Sequence, residues 1–162
     1  MNNCETLNIK GDALTSLINF VKASNIIDDL LGSLQGFIGL DSKDIYEFVK
    51  NAKEIRAQTC TISDISSKYQ ESDNMSETQI KELRENIKNE LLKEFSKEGI
   101  DIKTKANRRI IIVGVTPATT LRMLDCIFDI LGKDIKHQQA TNNSRVDYGK
   151  IPLKITMLDI YE

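Results

Sequence analysis

A threonine-rich turn, Gly114-Val115-Thr116-Pro117-Ala118-Thr119-Thr120, is the segment of this chain best suited to bind an anion. It follows a β-branched run typical of a buried strand and precedes an apolar-periodic segment typical of a helix. Free backbone N–H groups and the positive end of the helix dipole favour negative charge at such a junction. We therefore predict anion or phosphate contacts from Thr116, Thr119, Thr120 and Arg122.

The same turn also has a simpler interpretation as a helix start. It lacks the G-x-x-x-x-G-K-[ST] pattern of phosphate-binding loops. Thr116 followed by Pro117 is good capping chemistry, because proline fits the first position of a helix. Capping without a ligand and binding of a small anionic ligand are therefore both open at this point.

A basic cluster precedes the buried strand and consists of Lys103, Lys105, Arg108 and Arg109. At ~3.3 Å per residue, Arg109 and Thr116 lie at opposite ends of one strand, so the cluster does not extend the anion site. Aromatic residues are few and the net charge is −2, which disfavours nucleic-acid binding. We interpret the cluster as a solvated start of the strand.

The histidine and the cysteines give no further site. His137 lies in a polar segment without metal-ligand spacing, so we predict a surface histidine, no metal and no cofactor. Cys4, Cys60 and Cys126 are far apart and an odd number cannot all pair within one chain. We interpret them as reduced thiols of a cytoplasmic protein, since the sequence shows neither a secretory signal nor a membrane span.

A narrow apolar seam runs along one charged helix and suits pairing with another helix. It comprises Ile80, Leu83, Ile87, Leu91 and Phe95. Because the seam covers only about two heptads, it is short for an independent coiled coil. Association with a partner or a second copy, and packing on the protein's own first helices, are both consistent with it.

The helix that carries this seam has the clearest start and end in the chain. Ser76-Glu77-Thr78-Gln79 is a capping box, and Gly99 follows the last helical residue. After it, alternation over residues 100–105 predicts a half-exposed strand, and the apolar run of 109–115 predicts a buried strand.

The last part of the chain combines one helix with one strand. The helix starts at Thr116-Pro117 and ends at Gly132, with its apolar face between Leu121 and Leu131. The polar residues 133–150 predict a loop or hairpin, and residues 151–161 predict a final strand.

The first half of the chain has mostly helical periodicity. A short edge strand is predicted at residues 6–10. Apolar residues then recur at three- and four-residue steps as far as residue 38, which predicts two packed helices or one kinked helix, with Asp12 as the first cap and a break at Ser24-Asn25. A further amphipathic helix is predicted over residues 42–55, followed by a Ser-rich loop or short helix over 59–74.

These patterns predict an α+β fold. Residues 1–73 form a helical N-terminal region, while 74–162 hold the long charged helix and a small sheet with one packed helix. We expect both regions to pack together as one compact unit, since 162 residues can bury a sizeable core.

Two functions fit this fold. The first is a non-enzymatic interaction or regulatory module that self-associates or binds a protein partner through helical surfaces. The second is a small-ligand or phosphate-ester binding protein, or an enzyme for such a ligand, with its site at Thr116–Thr120. No membrane association is expected for either. Because the sequence shows no clustered set of reactive side chains, we favour the first and keep the second as the alternative.

Overall fold

Five strands assemble into one sheet in a computed structural model, which describes residues 4–23, 46–47, 49–63, 65–114, 119–132, 137–142 and 153–162. The strands are β1 (Cys4–Lys10), β2 (Glu54–Ile62), β3 (Arg108–Gly114), β4 (His137–Asn142) and β5 (Leu153–Tyr161). Their order across the sheet is β1-β2-β5-β3-β4. The first four in this order are antiparallel, and β4 joins β3 in parallel. Strands β5 and β3 are buried because each has a strand on both edges and a hydrophobic cluster on both faces.

In the described part of the chain, three α-helices accompany the sheet, namely α1 (Asp12–Ala23), α2 (Glu77–Glu98) and α3 (Leu121–Leu131). The capping box of α2 is confirmed: Ser76 Oγ accepts from the Gln79 N–H, and Gln79 Oε1 accepts from the Ser76 N–H. Gly99 ends α2 in the left-handed region, at a φ of 80°, which glycine adopts without a side-chain clash. Gly132 follows α3, as predicted.

The sheet carries a hydrophobic core on each face. On one face, α2 and α3 pack over alternate residues of the central strands, including Ile111, Val113, Ile155 and Met157. On the other face, α1 and Val49 contribute to a smaller cluster with Ile110, Ile112, Leu158 and Ile160. The period-2 alternation of β3 and β5 therefore supplies both cores from the same strands. The α+β class is confirmed.

The layout of the N-terminal half differs from the prediction of a mostly helical region. β1 and the start of α1 at Asp12 agree with it, but residues 54–62 form β2 rather than a helix end and a loop. Polar residues between Ile55 and Ile62 concealed this strand, which forms because it pairs with β5 over its whole length. Residues 46, 47 and 49, within the predicted helix over 42–55, are helical, while residues 24–45 and 48 lie outside the described residues.

Two predictions in the second half were also wrong. Residues 100–105 do not form a strand, because the buried Gln58 side chain accepts from the Asp101 N–H at 3.0 Å and donates to the Gly99 carbonyl at 3.2 Å. The expected loop or hairpin over 133–150 contains β4, a parallel edge strand. β4 is polar and lacks alternation, so only its pairing with β3 identifies it as a strand.

Candidate functional site

The start of α3 is the part of the predicted anion site that the structure describes. Thr120 is its N-cap, and the Thr120 hydroxyl accepts from the Met123 N–H at 3.2 Å. The Thr120 N–H donates to Ser66 Oγ at 3.2 Å, and that hydroxyl donates to Met123 Sδ at 2.9 Å. The cap is therefore Thr120 and not Thr116, which lies outside the described residues.

Arg122 lies one turn into α3 and already has an anionic partner. Its Nε donates to Glu71 Oε1 at 2.8 Å, and this hydrogen bond raises the pKa of the Arg122 guanidinium. Thr119 is half-buried just before the cap. The structure thus brings Thr119, Thr120 and Arg122 to one turn of the chain, where Thr120 caps the helix and Arg122 is bound to a carboxylate.

Arg109 is buried inside the sheet, so its interpretation as part of a solvated cluster is wrong. Its Nε and Nη2 donate to the two carboxylate oxygens of Asp159 at 2.5 and 2.9 Å. Its Nη1 donates to the carbonyls of Ile102 and Leu131 at 3.2 and 3.0 Å. The β3–β5 register places Arg109 directly opposite Asp159. In the sequence, Asp159 is a single carboxylate within the mostly apolar β5, and this feature could have predicted a buried cationic partner.

The other members of the basic cluster lie nearer the surface. Lys103 and Lys105 are exposed. Arg108 is half-buried and pairs with Glu162 at 2.6 Å, and it donates to the Glu47 carbonyl at 3.3 Å. The first contact ties the residue after β5 to the start of β3, and the second ties the start of β3 to residue 47.

The predicted interaction seam on α2 faces the protein's own core. Ile87, Leu91 and Phe95 are buried against the sheet and α3. Leu83 is half-buried in the same cluster, and Ile80 is half-exposed at the start of the helix. Packing within the chain therefore covers most of the seam, and the described contacts of its buried residues are with the sheet and α3.

Charged side chains connect α2 with α3 and with the segment before it. Arg84 bonds to Asp125 and Asp129 on α3. Glu90 accepts from Lys68 Nζ at 2.6 Å and from the Tyr69 hydroxyl. The hydrogen bond from Lys68 is the main reason that the pKa of Glu90 is lowered.

The three cysteines divide into a pair and a single thiol. Cys4 and Cys60 form a disulfide between β1 and β2, which corrects the interpretation of reduced thiols. The antiparallel register places these residues opposite one another although 56 positions separate them in sequence. Cys126 is a free cysteine buried on the apolar face of α3, and burial raises the pKa of its thiol.

The described surface exposes three large apolar side chains. Leu7 in β1 is 59% exposed, Leu121 at the start of α3 is 84% exposed, and Leu92 in α2 is 39% exposed. Of these, only Leu7 lies in a strand at the end of the sheet. β1 exposes most of its residues and uses one backbone edge to pair with β2.

His137 begins β4, where its backbone pairs with Arg109, so it does not lie in a loop.

Within the described ranges, no three acidic, cysteine or histidine side chains are grouped as a metal ion would require. None of the helices in those ranges is both long and apolar enough to traverse a bilayer.

Comparison with protein-family models, curated proteins and solved structures gives no significant match to this chain.

Proposed function

We propose that this chain is a non-enzymatic interaction module that self-associates through β1. One observation carries the proposal: β1 ends the sheet of described strands while exposing Leu7 at its centre. A terminal strand presents backbone N–H and C=O groups that another strand can pair with. The seam of α2 is largely buried in the chain's own core, so the strand edge replaces the helical surface as the favoured site.

A second copy is the occupant that fits this edge. Antiparallel pairing of two β1 strands about a twofold axis at Leu7 sets Leu7 against its own copy on one face. On the other face, Thr6 lies opposite Asn8. Glu5 falls opposite Ile9 and Lys10 opposite Cys4, so this register places no like charges directly against each other. The sheet continues across the two copies, and the exposed leucines cover one another.

Sedimentation or light scattering over a range of protein concentrations tests self-association. We expect a concentration-dependent dimer, and we expect Leu7→Lys to weaken it at least tenfold because a charge at the edge opposes strand pairing. Leu121→Lys is the matched control, since Leu121 is equally apolar and more exposed but lies outside the sheet. A wild-type protein that stays monomeric, or a dimer that tolerates Leu7→Lys, contradicts the proposal.

The alternative function is binding of a small anion or phosphate ester at the turn before α3. It rests on the position of Thr119 and Thr120 between the carboxyl end of β3 and the helix start. It is the weaker candidate because the Thr120 hydroxyl and the Arg122 guanidinium already have protein partners. Thermal-shift screening with phosphorylated metabolites, repeated on Thr119→Val, supports it only if a ligand stabilises the wild type more than the variant.

The cytoplasm stays a proposed location. There, a dithiol reductant would open the Cys4–Cys60 bond, so the bond would be transient rather than permanent.

A further inference from the structure

We propose that the Cys4–Cys60 disulfide is a redox latch, whose reduction releases β1 from the edge of the sheet while the rest of the fold persists. The Cα atoms of the two residues lie 4.2 Å apart, close to the ~4.5 Å of a non-hydrogen-bonded antiparallel pair. The sulfurs therefore meet across the two strands at the N-terminal end of β1. The reaction is thiol–disulfide exchange with a dithiol reductant.

Side-chain packing alone holds β1 weakly. Five of its seven residues are exposed, and only Cys4 and Ile9 are half-buried against the cores of the two faces. The ladder with β2 and the disulfide supply the other attachments. Strands β3 and β5, in contrast, are buried on both faces and pair on both edges. Loss of the crosslink therefore affects β1 far more than the centre of the sheet.

The surroundings of the two sulfurs determine which one is attacked. Cys60 is 0% exposed within the core, whereas Cys4 is half-buried on the terminal strand. Thiol–disulfide exchange needs a thiolate to approach one sulfur in line with the S–S bond. The outer side of Cys4 offers that approach, because no other described strand lies beyond β1.

The electron balance follows from attack at Cys4. A thiolate of the reductant forms a bond with Cys4 Sγ, the S–S bond breaks, and its electron pair leaves on Cys60 Sγ, which takes a proton from water. The second thiol of the reductant, as its thiolate, attacks the reductant's sulfur in this mixed disulfide and releases the Cys4 thiolate, which takes the second proton from water. The protein gains two electrons and two protons, and the reductant becomes a disulfide.

Hydrogen exchange with mass spectrometry on the full chain, oxidised with oxidised glutathione or reduced with dithiothreitol, tests the latch. We expect reduction to speed exchange in residues 4–10 by more than tenfold, while peptides from β3 and β5 remain protected. The double variant Cys4→Ser with Cys60→Ser reproduces the reduced pattern in both conditions. Cys126→Ser is the matched control and retains the response, because Cys126 is outside the disulfide.

Two further measurements make the test decisive. Leu7→Lys protein is examined in parallel, so that strand pairing between copies does not mask opening of β1. Limited reduction with glutathione places the mixed disulfide on Cys4, detected in the tryptic peptide that ends at Lys10. Equal protection of β1 in both states, loss of protection in all strands together, adduct formation at Cys60, or failure of the two thiols to oxidise each overturns the proposal.

Discussion

A salt bridge between Arg109 and Asp159 lies inside the sheet, where little water reaches either group. Arg109 Nη1 donates to two carbonyls, one from Ile102 after α2 and one from Leu131 at the end of α3. Such a pair stabilises the fold little compared with apolar residues of similar size, but removing one partner leaves an uncompensated buried charge. We therefore interpret the pair as specifying the register between β3 and β5, in which Arg109 lies opposite Asp159.

Arg109→Met tests this interpretation. We expect the free energy of unfolding in urea to fall by about 3–5 kcal/mol, because Asp159 stays buried without its cation. Arg109→Met combined with Asp159→Leu is the matched variant, and it should be more stable than the single substitution. A single variant as stable as the wild type would contradict the buried pairing.

The carboxylate of Glu90 provides a pH-dependent contribution at the surface of α2. Its pKa is lowered from 4.5 by hydrogen bonds from Lys68 and Tyr69, so the stabilisation is present above pH 4.5 and is lost as pH falls through the folded pKa. We expect Glu90→Gln to reduce the unfolding free energy by about 0.2–1 kcal/mol at pH 7, and the difference to vanish in acid.

Urea unfolding at several pH values measures this difference, and an NMR titration of Glu90 gives its pKa directly. Lys68→Met removes the main cause of the shift, so the pKa of Glu90 should return toward 4.5 in that variant. An unchanged pKa in Lys68→Met would show that this hydrogen bond does not form in solution.

At the scale of elements, α2 is amphipathic with a narrow apolar face. About one residue per turn of the helix is buried. The buried residues Ile87, Leu91 and Phe95 contact the same core as α3. Arg84 then ties the two helices together at their exposed sides. The helix thus completes the core on one face of the sheet and exposes charged residues to solvent.

Adjacent leucines on α2 allow a direct test of this orientation. Leu91 is 0% exposed and Leu92 is 39% exposed. We expect Leu91→Ala to lower the unfolding free energy by about 2–5 kcal/mol through lost burial and a cavity. Leu92→Ala should change it by less than about 1 kcal/mol, because surface substitutions have small effects. Equal losses in denaturant unfolding would mean that α2 packs with a different face.

At the scale of the molecule, β2 joins the two regions of the chain. It comes from the first region, yet it pairs with β5 from the last residues over nine positions. Its other edge pairs with β1. Of the five described strands of this sheet, two therefore come from residues 1–73 and three from residues 74–162.

Separate expression of residues 1–73 and 74–162 tests how far the regions depend on each other. We expect neither fragment to unfold cooperatively. The first fragment loses the central strands, and the second exposes the edge of β5 and the core residues that the first fragment covers in the full chain. Thermal unfolding followed by circular dichroism measures this, with the full chain as control. A cooperative transition in either fragment would show that the fragment is a domain.

Local signals in the sequence predicted much of the fold. The capping box at Ser76 and the glycine at position 99 predicted both ends of α2, because they act on neighbouring backbone groups. The apolar runs predicted β3 and β5, since a strand buried on both faces has apolar residues at most positions rather than at alternate ones. β2 and β4 have no such apolar run. Polar residues interrupt the apolar ones in β2, and β4 consists almost entirely of polar residues.

For the candidate sites, sequence alone determined which side chains were available, and the tertiary structure decided which of them met. Thr120 became the helix cap, Arg122 met Glu71, and Arg109 met Asp159. Cys4 and Cys60 came together across two strands despite 56 intervening positions. These contacts depend on strand register and helix packing, which arise from pairing between distant segments and leave no periodic trace in the sequence near either partner.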